Sequence, residues 1–233
     1  MRRFKPILFI AVLYTFIFSS ALAERVNFIS PDQVDLVKIL APPPAKDSPQ
    51  TKAEIQELIG IQCRRSSKEA AAAEADANLT IFQFAGNILG PKFTPENLPI
   101  TGKFFEQLCQ EGEVIVKHAK DTWKKPRPFM LSQKIKPCVP KPDSWAYPSG
   151  HTTFGYLSGI VLANMIPEKK EALFARAAQY GFHRMVGGVH CRSDVEAGRI
   201  AGTVIAAIMM QNPHFQEEYS KVKNEIRKFM KLQ

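Results

Sequence analysis

At 233 residues, the chain is long enough for one domain with a real core, or for two small ones. Its formal charge of +9 suits anionic partners of any kind, but no lysine–arginine run carries interleaved aromatics, so nucleic acid is not favoured. The four cysteines (Cys63, Cys109, Cys138, Cys191) lack C-x-x-C spacing, which argues against zinc.

The chain opens with a basic leader (Arg2, Arg3, Lys5), an apolar run from Ile7 to Ser20 and the small-residue stretch Ala21-Leu22-Ala23. This is the pattern of a secretory signal peptide over residues 1–23, cut after Ala23. Cleavage removes three basic residues and no acidic ones, lowering the charge from +9 to +6. Export places the protein in the periplasm or outside the cell. In an oxidising compartment the even cysteine count predicts one or two disulfides, with three possible full pairings.

Residues 24–50 are expected to be irregular, because "APPPAKDSPQ" lacks donors and has fixed φ at its prolines. Ser48-Pro49 reads as an N-cap followed by proline, with Thr51-x-x-Glu54 as an alternative capping box, and from about Thr51 the chain reads as helix almost throughout. "KEAAAAEADANL" is rich in the best helix former, and "GPKFTPENLP" is a loop. A helix is expected over 101–124, stopped by Pro126. Phe154–Ile166 and Ile200–Met210 are apolar on nearly every face but too short to span a bilayer, so they read as buried core helices. Glu171 to about Met185 reads as helix, and the amphipathic tail from Pro213 as a last one. Period-two alternation is scarce, which predicts a single all-α domain over 51–233.

Three clusters carry chemistry. In "KDTWKKPRP", Lys120 lies on the last helical turn and Arg127 on a stiff proline-flanked exit. In "YPSGHTT", Ser149 is a good N-cap and Gly150 allows close backbone approach, so free N–H groups and a positive helix end can meet an anion beside His151. In "HRMVGGVHCRSD", Arg184 precedes His190 by six residues and Asp194 follows it by four. Ser193-x-x-Glu196 is a capping box, which starts a helix at Asp194. From its first turn Asp194 can reach back to His190 and leave the other ring nitrogen unprotonated, as a nucleophile requires.

The order K-x6-R-P, P-S-G-H, R-x5-H-x3-D resembles the PAP2 (type 2 phosphatidic acid phosphatase) superfamily, which shares its site with vanadium-dependent haloperoxidases. "LAPPPAKDSP", "EADANL", "KPRPF", "YPSGHTT" and "GVHCRSDVEAGR" make the chain most similar to secreted bacterial class A non-specific acid phosphatases. The resemblance implies a helical bundle of the PAP2/vanadium haloperoxidase type and hydrolysis of small phosphate monoesters. His190 would be the nucleophile that forms a phosphohistidine, His151 the general acid and base, and Asp194 the residue that orients His190. Lys120, Arg127, Ser149, Gly150 and Arg184 would bind the phosphate. No carboxylate cluster suited to a metal accompanies these groups, so no metal and no cofactor is expected; no apolar stretch after the leader is long enough to span a bilayer, so no stable membrane insertion is expected, and a homodimer stays open. A lipid phosphatase, a vanadium haloperoxidase-like enzyme and a phosphate binder without turnover are the alternatives. The chain departs from the family twice: Trp145-Ala146 stand where Gly-Ser is usual, at the pocket rim, and His183 stands in place of a serine. His183 is adjacent to Arg184 on a helix and so points about 100° away from it, toward a supporting role.

Overall fold

The computed structural model describes residues 26–232; the expected signal peptide lies outside them. Among the described residues ten α-helices and no strand occur. They are α1 (Leu36–Ile39), α2 (Pro49–Arg64), α3 (Ser67–Ala75), α4 (Ile81–Leu89), α5 (Pro99–Trp123), α6 (Pro128–Leu131), α7 (Gly150–Met165), α8 (Lys170–Val186), α9 (Arg192–Met209) and α10 (Pro213–Phe229).

Local chemistry sets most boundaries. Ser48 caps α2, its hydroxyl accepting from Thr51 N–H, with Pro49 at the first position. Pro99 opens α5 in the same first position, two residues earlier than the expected start. Lys124 ends α5 in the left-handed conformation (φ 49°), and the following Lys125-Pro126 cannot continue a helix. The helix expected from Asp194 begins two residues sooner, at Arg192. Its first turn is closed by Asp194, whose carboxylate accepts the Cys191 N–H at 2.7 Å. The Ser193 hydroxyl instead donates to Glu54 on α2, so the expected Ser193–Glu196 box is not formed.

The segment before α2 is less irregular than its prolines suggest. It holds a 3-10 turn at Pro31–Gln33 and α1, and it is docked: Phe28 packs on Phe104 and Phe215, and Glu111 accepts the N–H groups of Phe28 and Ile29. Apolar burial on one face, which composition alone does not reveal, is what orders it.

Helix α7 is the centre of the molecule, packed against α8 and α9 with α5 across its flank. Its side chains are buried on nearly every face, as its apolar sequence requires. Small residues bring α9 onto α7: a methyl group on Gly198 would lie 2.6 Å from Ser149 O, and one on Gly202 2.5 Å from Thr153 O. Phe84, Phe154 and Tyr180 meet edge-on or tilted between α4, α7 and α8.

All four cysteines are free thiols, which corrects the expected disulfides. They sit on separate elements. Cys63 is exposed near the end of α2, and Cys109 lies mid-way along α5. Cys138 is in the loop after α6, and Cys191 is buried before α9 against Leu58 and Met185. No helix among the described residues is long and apolar enough to cross a membrane.

Candidate active site

A cavity of about 520 Å³ opens at the N-terminal end of α7. Lys120, Arg127, Gly150, His151, Arg184 and His190 all line it. Five of the residues singled out from the sequence bring charge or a titratable ring to this one space, although they come from three separate stretches of chain.

Each cation has a structural reason for its position. Lys120, on the last turn of α5, is buried and donates to the Trp145 carbonyl, which pins the residues before the P-S-G-H turn. Arg127 is held as a fork: Nε donates to Ser144 O at 2.8 Å, one Nη to Ser144 Oγ at 3.0 Å, and the other to Val189 O at 3.0 Å. Arg184, on α8, is only 1% exposed, and its Nε and one Nη have no hydrogen-bond partner. A buried guanidinium normally spends its donors on acceptors, so two unused donors at a cavity wall mark a place for an anion.

The histidines are fixed by groups that have only one hydrogen-bonding role. Arg127 Nη1 lies 2.6 Å from His190 Nε2. A guanidinium can only donate, so Nε2 holds the lone pair and Nδ1 the hydrogen. That Nδ1 lies 3.4 Å from Asp194 Oδ2, an ion-pair distance longer than a good hydrogen bond. His151 is the reverse: its Nε2 lies 3.1 Å from the Ala77 carbonyl, which can only accept, so Nε2 carries hydrogen and Nδ1 is left for proton transfer.

Electrostatics follow from crowding. Burial and the neighbouring Arg127 push Lys120 down to about 7. Burial, then Arg184, pushes His151 down to about 3. Burial and the three cations hold His190 well below the ordinary histidine value. Positive charge concentrated among buried groups disfavours every further proton until a negative charge enters.

Two of the residues named from the sequence do not line the cavity: Asp194, expected to orient His190, and Ser149, expected at the phosphate. Asp194 is fully buried and supports His190 from outside the cavity. Ser149 does not line the cavity: its N–H donates to Asp194 O, and its hydroxyl accepts the Thr152 N–H as the cap of α7. Gly150, next in the chain, is the residue of that turn exposed to the cavity.

Sequence reasoning missed the groups behind each histidine. Lys125 donates to Asp194 Oδ1 at 2.6 Å and to Ser193 Oγ at 2.8 Å. Asp76 takes both Nη groups of Arg176, at 2.8 and 2.6 Å, and His183 Nδ1 at 2.6 Å. His183 therefore faces Asp76, away from the cavity, in keeping with the supporting role expected for it. Asp76 lies in "EADANL" and Lys125 in "KDTWKKPRP"; both stretches stood out, but neither residue did. Among the described residues no group of three or more His, Cys, Asp or Glu side chains is placed to hold a metal ion.

Comparison with known proteins gives a consistent picture. The family model of the PAP2 superfamily matches residues 110–218. The non-specific acid phosphatase of Salmonella typhimurium is 32% identical over 216 residues, covering 88% of this chain and 86% of that protein. That of Providencia stuartii is 28% identical over 212 residues, covering 85% and 83%. A bacterial vanadium-dependent iodoperoxidase superposes with a TM-score of 0.58 at 19% identity, over 75% of this chain and 53% of its own. A transmembrane PAP2-type phosphatidylglycerolphosphate phosphatase from Bacillus subtilis gives 0.50 at 15% identity, over 74% and 89%. These two likenesses concern the fold: the helical bundle shared by PAP2 enzymes and vanadium haloperoxidases.

Proposed function

From the premise that this chain belongs to the PAP2 superfamily, beside the bacterial non-specific acid phosphatases, we propose how it works as a phosphoric monoester hydrolase. The reaction runs in two in-line steps. The lone pair on His190 Nε2 attacks phosphorus, the bond to the ester oxygen breaks, and that oxygen leaves with the electron pair. His151, protonated in the complex, gives the leaving oxygen its proton. Water then attacks the phosphohistidine, His151 takes a proton from it, and the phosphorus–nitrogen bond breaks to return neutral His190 and phosphate.

The observation that carries this reading is the buried Arg184 with two unpartnered donors, sharing a cavity with Lys120, Arg127 and two histidines of opposite tautomer. Three cations and the α7 N-terminus match a phosphoryl group whose charge spreads over its equatorial oxygens. As phosphate draws Arg127 onto its oxygens, the 2.6 Å contact that occupies Nε2 is released. Attack leaves positive charge on the His190 ring, where Asp194 lies 3.4 Å from Nδ1. Around the cations the cavity is lined by Leu79, Val116, Phe154, Leu157 and Trp145, which suits an organic leaving group of varied shape.

The proposal includes export to the periplasm or medium after cleavage behind Ala23, with small soluble phosphomonoesters as substrates and no nucleic-acid partner. Membrane lipid and halide chemistry are less favoured: the relatives at about 30% identity over most of the chain are acid phosphatases, whereas the peroxidase and lipid-phosphatase structures share the fold at under 20%. The test is hydrolysis of an aryl phosphate by the mature protein, with labelled enzyme trapped by an alkaline denaturing quench. Label on a histidine that is lost in His190→Ala supports the mechanism. Full turnover by His190→Ala overturns it.

A further inference from the structure

Asp194 is 0% exposed, and a carboxylate that deep cannot stay ionised on hydrogen bonds from one N–H alone. What faces it can be read off element by element. Cys191 N–H, ahead of α9, reaches Oδ2, and His190 Nδ1 stands 3.4 Å from the same oxygen. Glu54 of α2 adds a second buried carboxylate, which takes Ser193 N–H and Ser193 Oγ. Cys191 adds a buried thiol beside it. Lys120 and Arg127 act on Asp194 only from a distance, because their donors go to Trp145 O and to Ser144, Val189 O and His190. The only cation bonded to Asp194 among the described residues is Lys125, 2.6 Å from Oδ1.

Lys125 is itself 4% exposed, an unusual state for lysine, and its backbone is tied down: Ala146 N–H donates to Lys125 O, and Pro126 stiffens the next bond. Its ammonium spans α2 and α9, lying 3.7 Å from Glu54 Oε2 and 2.8 Å from Ser193 Oγ. It bonds the Asp194 oxygen that faces away from His190 and leaves Oδ2 toward the ring.

We propose that Lys125 is a positioning residue of the catalytic centre: it holds Asp194 ionised and in place, so that Asp194 can stabilise the charged His190 ring of the phosphoenzyme. This rests on the reading of His190 as nucleophile. Burial already raises the Asp194 carboxyl, and Lys125 opposes that rise more than any other group. Without Lys125, Asp194 takes a proton as the pH falls, and the developing charge on His190 loses its counter-ion. The loss is therefore greatest on the acid side, where a merely structural fault would lower the rate evenly.

The experiment compares Lys125→Met, Lys125→Arg, Asp194→Asn and the double variant Lys125→Met/Asp194→Asn. Steady-state hydrolysis of an aryl phosphate is followed from pH 4.5 to 8, with Tm for each. Lys125→Met is expected to lose on the order of 100-fold in kcat at pH 5, to lose less at pH 7.5, and to move the acid limb upward by at least about one pH unit. Lys125→Arg keeps the charge and should keep the wild-type limb within about tenfold in rate. Should Lys125→Met fold poorly, the double variant decides, since it also removes the Asp194 charge that Lys125→Met alone leaves without its bonded cation. It should be no worse than Asp194→Asn alone. Multiplied losses in the double variant, or a uniform loss in Lys125→Met with an unmoved acid limb, overturn the proposal. An active His190→Ala variant would instead sink the reading of the site on which it rests.

Discussion

His190 and His151 are held in opposite tautomers across one cavity, His190 with its Nε2 lone pair against Arg127 and His151 with its Nε2 hydrogen on the Ala77 carbonyl. A nucleophile and a proton donor thus differ by which single-role group each ring meets. The carbonyl that holds His151 belongs to the turn after α3, and that turn is itself anchored: Asp76 is clamped by Arg176, Gln83 and His183, and Asn78 O takes the Tyr180 hydroxyl.

A consequence is that Asp76→Asn should weaken catalysis from outside the cavity. The neutral amide keeps the shape but loses the paired charge, so the turn and the His151 ring lose definition. The expected effect is about ten- to a hundredfold in kcat with KM nearly unchanged, since no phosphate contact is touched. His183→Ser removes one of the clamp's several bonds and should cost less than about tenfold, roughly 1.4 kcal/mol of barrier. Steady-state kinetics on both variants check this. A His183→Ser enzyme as inactive as His190→Ala, while still folded, would move His183 into the catalytic set.

Substrate should change the titration of the site. In the free enzyme burial, and after it the cations, push His151 down to about 3, and a phosphate dianion supplies negative charge that opposes this. The limb assigned to His151 should thus lie at higher pH in the profile of kcat than in that of kcat/KM. Lys120, pushed down to about 7, loses its charge above that pH, so KM should rise on the alkaline side. Full pH profiles of both parameters test it; coincident limbs and a flat KM from pH 6 to 9 would contradict the assignment.

Stability of the unliganded protein should fall as pH falls. The folded-state values of His151 and His190 are lowered below the ordinary 6.5, so below pH 6.5 the unfolded chain binds more protons and folding weakens as pH falls. One such histidine accounts for about 2 kcal/mol at pH 5. Asp76, also lowered, adds to the same trend below its ordinary 3.8. Tm of the unliganded protein should drop from pH 7 to 5, and inorganic phosphate should restore it more at pH 5 than at 7. A Tm that climbs toward pH 5 without ligand would rule this out.

Vanadate, which can become five-coordinate on His190 Nε2, should inhibit competitively and far more tightly than phosphate. Chelators should leave turnover intact. Activity abolished by chelator and restored by a divalent ion is the outcome that counts against a site built from cations and N–H donors.

The fold and the cavity residues were legible because their signals are local. Apolar runs marked α7 and α9, proline and serine marked helix starts, and six of the eight site residues named from motifs meet at the cavity. Ser149 was placed at the phosphate because N-caps and anion sites share one sequence signature, yet its hydroxyl is used by Thr152 and its N–H by Asp194. Lys125 and Asp76 were not legible. Their partners lie 69 and 107 residues away, at Asp194 and His183, and nothing in a short window separates a buried lysine from a solvated one. The disulfides were over-read for the same reason: an even count says nothing about which sulfurs come near each other.

The bare backbone contacts of Gly198 and Gly202 on α7 bear on how this enzyme can change by mutation. Ser149 O and Thr153 O leave no room for even a methyl group, and the helix that receives them also carries Asp194. Any side chain there would wedge α9 outward and swing the carboxylate behind His190. Laboratory selection for new substrates should therefore find Leu79, Val116 and Trp145 permissive, while two residues that never meet a substrate stay fixed.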